Sequence, residues 1–310
     1  MSIAGAVKSN LKRGVLLLLL PLALTAGIFF FGPNVKSAEQ PSTEGEVVII
    51  VDKKTNQLHV ARNNDGVTKP FKTYGATLGQ RLGDKMIEGD LKTPEGIYDF
   101  LFRSLPSTGL KPEFGVMAIY VGYPNILDKR GSKTGFDILI HGTDKPERLQ
   151  HKYDSKGCVV LANEQVEEIW PHITLKNTRV VITQDFEQIA NPDRREKLKK
   201  FFEEWLKAWN EKNIDAYTEA YADEFTYDKM NRIEYSKYKD NLNKSYETIK
   251  VAADNRRFFF HEKYDMVTFE QTYESTLPGG KPGFKLQGKK NLYVQLRNGH
   301  YRILAEELVK

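Results

Sequence analysis

The sequence predicts two domains of different class, a mostly β domain followed by an α+β domain. Three observations carry that expectation. Residues 46–185 hold short β-branched runs separated by glycine-rich turns. Residues 195–210 form one strongly amphipathic helical stretch. Residues 249–308 then hold long strand-forming runs, so helices come early and an antiparallel sheet comes late. A chain of 310 residues has room for about two domains, and 40% hydrophobic with 11% aromatic residues supports a core in each.

Residues 14–32 carry no charge and follow Lys8, Lys12 and Arg13. A positive region ahead of an apolar segment marks an exported chain. Its length falls between that of a signal peptide and that of a spanning helix, so residues 1–33 read as a signal peptide or a membrane anchor. Val35-Lys36-Ser37-Ala38 is a poor cleavage site, which favours an uncleaved inner-membrane anchor with the body outside the cytoplasm. Pro21 would kink that helix without forbidding it. Residues 34–45 are a polar linker. An exported chain with one cysteine has no intramolecular disulfide. The net charge of +5 is spread along the chain, and no Lys/Arg block supports a nucleic-acid partner.

In the first domain, residues 47–51 form a continuous β-branched strand. Residues 57–61 follow after a turn over 52–56, which predicts a hairpin. Strands are expected at 71–78, at 97–100 after the Thr93-Pro94-Glu95-Gly96 turn, and at 117–121, 136–140, 158–161 and 179–183. One helix is expected over 163–170, where Val166, Ile169 and Trp170 share a face and Asn163 can cap it.

Cys158, the single cysteine, and His141 both fall at ends of these strands, where side chains are held rigidly. A thiol needs a nearby base or cation to act as a nucleophile near neutral pH, and His141 is placed to supply it. Gly157 leaves the backbone free to turn successive N–H groups toward one point, as an oxyanion hole requires. Read alone, the pair also fits a buried small hydrophobe and a satisfied core histidine.

An ordered set of residues decides between these readings: Gly89-Asp90 with Thr93-Pro94-x-Gly96-x-Tyr98, Tyr123-Pro124-Asn125 with Asp128, His141-Gly142, and Ser155-x-Gly157-Cys158. The set resembles the L,D-transpeptidase catalytic domain of bacterial cell-wall enzymes, over about 140 residues. The resemblance implies a β-sandwich with Cys158 as nucleophile, His141 as its base, and an oxyanion hole of N–H groups around Gly157 and Cys158. It implies a peptidoglycan stem peptide as substrate, cut at the L,D bond before its terminal D-alanine. Two positions depart from the family pattern of Ser-His-Gly-Cys, an apolar residue and Arg: Lys156 stands for the second histidine and Val160 for the arginine. Lys156 is either a cation that lowers the thiol pKa and meets substrate or a solvated loop lysine. Ser155 is expected to fix the turn and to border the substrate.

Residues 186–194 are a polar linker ahead of the second domain, residues 195–310. In its first helix Leu198, Phe201, Phe202, Trp205, Leu206 and Trp209 share one face, a core stripe rather than a cofactor box. Asn213 can cap a second short helix, and a third spans about 236–246. Strands are expected at 249–253, 256–263, 266–275, 283–296 and 300–308. Trp205-x-x-Ala208-Trp209 and the segment from Ile214 to Phe225 resemble the nuclear-transport-factor-2-like fold, a curved sheet wrapped over helices. No residue set with metal-ligand spacing and no nucleotide motif stands out, so no metal or cofactor is expected. Asn298-Gly299 predicts a two-residue type I′ hairpin. That turn would set Lys290 opposite Glu307 on the core-facing side, either as a rim ion pair or as the mouth of a cavity that binds stem peptide or glycan.

The two resemblances together are similar to the cell-shape-determining L,D-carboxypeptidases of curved and helical Gram-negative bacteria, which trim tetrapeptide stems to tripeptides in the periplasm. L,D-transpeptidation and non-catalytic binding of peptidoglycan are the competing expectations.

Overall fold

The computed structural model describes residues 46–64, 66–189 and 192–309. The apolar segment 14–32 lies outside them; among the described residues no helix is long and apolar enough to cross a membrane.

The first domain contains β1 (Glu46–Asp52), β2 (Gln57–Asn64), β3 (Val67–Gly75), β4 (Leu78–Gly79), β5 (Gly96–Ser104), β6 (Ala118–Val121), β7 (Leu139–His141), β8 (Tyr153–Ser155), β9 (Val159–Val160) and β10 (Arg179–Thr183). Its helices are α1 (Ile126–Arg130) and α2 (Asn163–Ile169). Eight strands bond in one sheet, in the order β3-β2-β1-β10-β5-β6-β7-β9, while β4 and β8 pair with each other. The register of β5 against β6 shifts between Phe100 and Arg103, and such an irregularity bends a sheet. The halves on either side of β5 enclose one core, in which Ile49, Val51, Leu58 and Val60 meet Ile119, Val121, Ile140, Val159 and Leu161. The sandwich packing expected from the resemblance thus comes from one continuous sheet rather than two.

The apolar run in β1 has a physical cause. Ile49 and Val51 face that core, while Val48 and Ile50 face the other way, into a second core shared with the second domain. A strand buried on both faces reads as an unbroken hydrophobic run rather than an alternation.

The second domain contains α4 (Pro192–Asn210), reached through α3 (Phe186–Ile189), then α5 (Ile214–Glu219) and α6 (Arg232–Ser245), with a small ladder of β11 (Thr226–Tyr227) and β12 (Met230–Asn231) between the last two helices. Asn213 caps α5 through its side chain, which accepts from Ala216 N. A four-stranded meander follows: β13 (Thr248–Phe259), β14 (Asp265–Leu277), β15 (Lys281–Arg297) and β16 (His300–Val309). The two strands expected at 249–263 are one strand, with a register shift between Asp254 and Arg257 where Asn255 takes φ +50°. Phe202, Trp205 and Trp209 of α4 are buried against Phe258, Phe269 and Tyr273 of the sheet.

The end of the β13–β14 hairpin enters the first domain. Tyr264 Oη accepts from Ile97 N and from Asn125 Nδ2, each at 2.8 Å. His261 Nε2 lies 3.0 Å from Ile182 O. Lys263 Nζ pairs with Asp84 at 2.7 Å and Glu95 at 2.8 Å, two residues of the long loop between β4 and β5. Lys53 holds the same loop through Glu95 Oε1 and the carbonyls of Gly83 and Thr93. Gln80 of that loop lines the site described next.

Candidate active site

β7 and β9 run parallel, with Ile140 paired to Val159 and His141 to Val160. This pairing carries Cys158, the residue before β9, to the level of Leu139. The backbone N–H of Leu139 bonds the sulfur, and Cys158 Sγ lies 3.6 Å from Asp137 O. Cys158 and His141 line the same cavity of about 1380 Å³.

His141 is buried, and its Nδ1 lies 2.5 Å from Gly142 O. A carbonyl only accepts, so Nδ1 carries the proton and Nε2 keeps its lone pair. Phe114 stands edge-on to the imidazole at 4.9 Å. Carbonyl and ring together orient the imidazole. Burial lowers the imidazole pKa to about 4, against the Gly142 contact, with Arg148 adding to the lowering. Burial raises the Cys158 thiol to about 11, opposed by the Leu139 hydrogen bond and by the charges of Arg148 and Lys85. At neutral pH the resting pair is therefore thiol and imidazole, not thiolate and imidazolium.

The turn between β8 and β9 is held from within. Ser155 is buried; its Oγ donates to Cys158 O at 2.6 Å and accepts from Gly157 N at 3.1 Å. Ser155 thus fixes the turn, as expected, and it also lines the cavity. Its Oγ already takes the Gly157 N–H, while no bond from the Cys158 N–H is formed among the described residues. Gly157 is required on other grounds: its φ is +130°, and a Cβ there would lie 2.8 Å from Lys92 O of the loop between β4 and β5. Lys156 is exposed and lines the cavity, but the cations that weigh most on the thiol are Arg148 and Lys85.

Asn163 is not the cap of α2; Ala162 occupies that position. The Asn163 side chain accepts from Thr143 N at 3.1 Å and donates to Thr143 O at 3.0 Å. It braces the segment that follows His141, and a Cβ on Gly142 would overlap its Oδ1.

The remaining expected pair does not form. Asn298 and Gly299 take φ of +49° and +82°, as a type I′ turn needs, and the expected register holds from Arg297↔His300 to Val294↔Ile303. It then slips by one residue, to Tyr293↔Ala305 and Leu292↔Glu306. A bulge at Leu304 is the cause. Ile303 is bonded by Ala220 and Ala222 across the sheet edge, and Leu304 O is taken by Arg130 at 2.6 Å. One extra residue flips every side chain beyond it. Lys290 therefore pairs with buried Glu306 inside the domain. Glu307 faces away from it, accepting from Tyr293 Oη at 3.1 Å beside the first domain.

Residues 46–182 match the L,D-transpeptidase catalytic domain known as YkuD. Residues 46–182 form an L,D-transpeptidase-family catalytic domain. Residues 197–307 match the Cds6 C-terminal NTF2-like domain. YafK of Escherichia coli (strain K12) is 33% identical over 94 residues, which are 30% of this chain and 32% of that protein. The match thus spans about a third of that relative's length. Two solved structures share both domains. Bd1075 of Bdellovibrio bacteriovorus aligns at a TM-score of 0.72 and 28% identity, over 87% of this chain and 94% of that one. The helical cell shape determining protein Pgp2 of Campylobacter jejuni aligns at 0.69 and 25%, over 86% and 92%.

Sequence reasoning missed Arg148, the Leu139 N–H and the Asn163 brace. Arg148 lies in a short 3-10 turn, Pro146–Gln150, between the two motifs, with no periodicity or motif to single it out. The other two act through backbone proximity, which only the β7–β9 pairing creates.

Proposed function

We propose that this protein is a peptidoglycan-modifying cysteine enzyme of the periplasm that removes the terminal D-alanine from tetrapeptide stems. The observation that carries the reading is the convergence of Cys158 and an Nδ1-protonated His141 on one large cavity. Cys158 Sγ attacks the carbonyl before the D-alanine, and its proton passes to His141 Nε2 as the S–C bond forms. The oxyanion faces the Cys158 N–H. Collapse breaks the C–N bond, and His141 returns the proton to the leaving amine. A water, deprotonated by His141, then attacks the thioester, and the sulfur leaves as the thiol.

The low basicity of His141 and the high pKa of the thiol favour proton transfer during attack rather than before it. Similarity to a cell-shape determinant over both domains supports trimming as the outcome. The size of the cavity supports a second reading, in which the amine of another stem replaces water and a cross-link results.

The test is digestion of purified stem peptides followed by mass analysis. Loss of one D-alanine supports trimming, and gain of a dimer supports cross-linking. No change in either would leave a binding module. Cys158→Ala must abolish product, and His141→Ala must do nearly the same, because base and nucleophile act as a unit. Undiminished turnover in Cys158→Ala protein would refute the covalent mechanism.

A further inference from the structure

The family arginine two residues after the cysteine is replaced here by Val160, which is fully buried and offers no charge to a substrate. One residue links that position to a different arginine. Thr77 bonds Val160 through both backbone groups, at 2.9 Å each. Its hydroxyl reaches the carbonyls of Arg148 at 3.1 Å and His151 at 2.7 Å. The Arg148 backbone is thereby fixed beside the position the motif arginine has vacated.

The Arg148 side chain is equally constrained. Nε donates to Asp154 Oδ2 at 3.2 Å and Nη2 donates to Asp154 O at 2.8 Å. Both bonds use the side edge of the guanidinium. The end edge, formed by Nη1 and the second N–H of Nη2, carries no hydrogen bond among the described residues. Arg148 lines the cavity that holds Cys158 and His141, and its charge acts on both of them. A guanidinium held along one edge offers the other as a fork that matches a carboxylate. The lysines of the cavity, Lys111, Lys145 and Lys156, have no such second anchor among the hydrogen bonds of the described residues.

We propose that the end edge of Arg148 binds the free α-carboxylate of the stem's terminal residue and so makes a free carboxyl terminus a condition of cleavage. The proposal takes its substrate class from the reading above.

The experiment uses the full chain and two tetrapeptide stems that differ only in a free or amidated terminal carboxyl. Affinity is measured in Cys158→Ala protein with and without Arg148→Ala, and turnover in protein with Cys158 intact. Expected is a preference for the free acid of about 10–100-fold, lost in Arg148→Ala through weaker binding of the acid alone. Arg148→Lys should restore part of it. Equal weakening of both stems by Arg148→Ala, or an acid preference that survives it, would overturn the proposal. So would the absence of any preference in the parent protein. Loss of turnover is read separately: an Arg148-dependent acid preference without D-alanine release upholds this site and refutes the trimming reading, whereas release without that preference does the reverse.

Discussion

Removing one oxygen from the turn that carries Cys158 tests how that turn works. Ser155→Ala deletes the hydroxyl that donates to Cys158 O at 2.6 Å and accepts from Gly157 N at 3.1 Å. Ser155 is only 2% exposed, so both backbone groups lose their partner in a place poor in water. A buried group left without a partner costs about 1–3 kcal/mol, which puts the stability loss at about 2–6 kcal/mol for the two together. The rate should fall further than stability alone would require. Cys158 Sγ and the Cys158 N–H both ride on this turn, and misplacement by about 1 Å costs on the order of 10²-fold in rate. The assay pairs denaturant unfolding with D-alanine release under conditions where the variant remains folded. Ser155→Thr keeps the hydroxyl and should recover much of the rate. A rate within about threefold of the parent, with stability changed by less than about 0.5 kcal/mol, would refute the reasoning. A faster variant would refute it differently, since it would mean that Ser155 withholds the Gly157 N–H from the oxyanion.

Two further outcomes follow from burial and charge. With its thiol pushed up to about 11, Cys158 in the free protein should react with iodoacetamide about tenfold faster for each pH unit between 6 and 10; a plateau below pH 7 would instead indicate a preformed thiolate. Glu306→Ala should destabilise the protein by about 3–5 kcal/mol, because it strands the buried charge of Lys290. The double variant Lys290→Met, Glu306→Leu should recover only part of that loss in chemical denaturation, because the buried Tyr221 and Tyr235 hydroxyls still lose their acceptor, and a single-variant loss below about 1 kcal/mol would show the pair to be dispensable.

The parts legible in the sequence were those governed by local rules. Asn298-Gly299 announced its turn because few dipeptides accept two positive φ values. The stripe of α4 announced its buried face because helical period and burial coincide. The Leu304 bulge was not legible. It arises where the 220–222 segment and Arg130 bond one edge of β16, a contact between parts of the chain far apart in sequence. The slip it causes exchanged Glu307 for Glu306 as the partner of Lys290. Gly157 stood out for its backbone freedom; the approach of Lys92 O, which leaves no room for a Cβ, was not legible because that loop lies far away in sequence. Cys158 and His141 stood out because their chemistry is rare, whereas Arg148, which lines the same cavity, did not because arginine is common.

The double burial of β1 bears on the order in which the chain is made. Residues 46–183 emerge first, yet they cannot bury Val48, Ile50 and Val181 until the sheet residues Phe258, Phe259, Met266 and Tyr293 arrive to cover them. Ile97 N and Glu95 likewise wait for Tyr264 and Lys263. A catalytic half emerging ahead of its partner carries an uncovered apolar face and an unpaired backbone donor, the features that draw holdases and promote self-association. Maturation of the first domain is therefore completed by the last third of the polypeptide rather than by its own residues, and a truncated product would be a client for quality control.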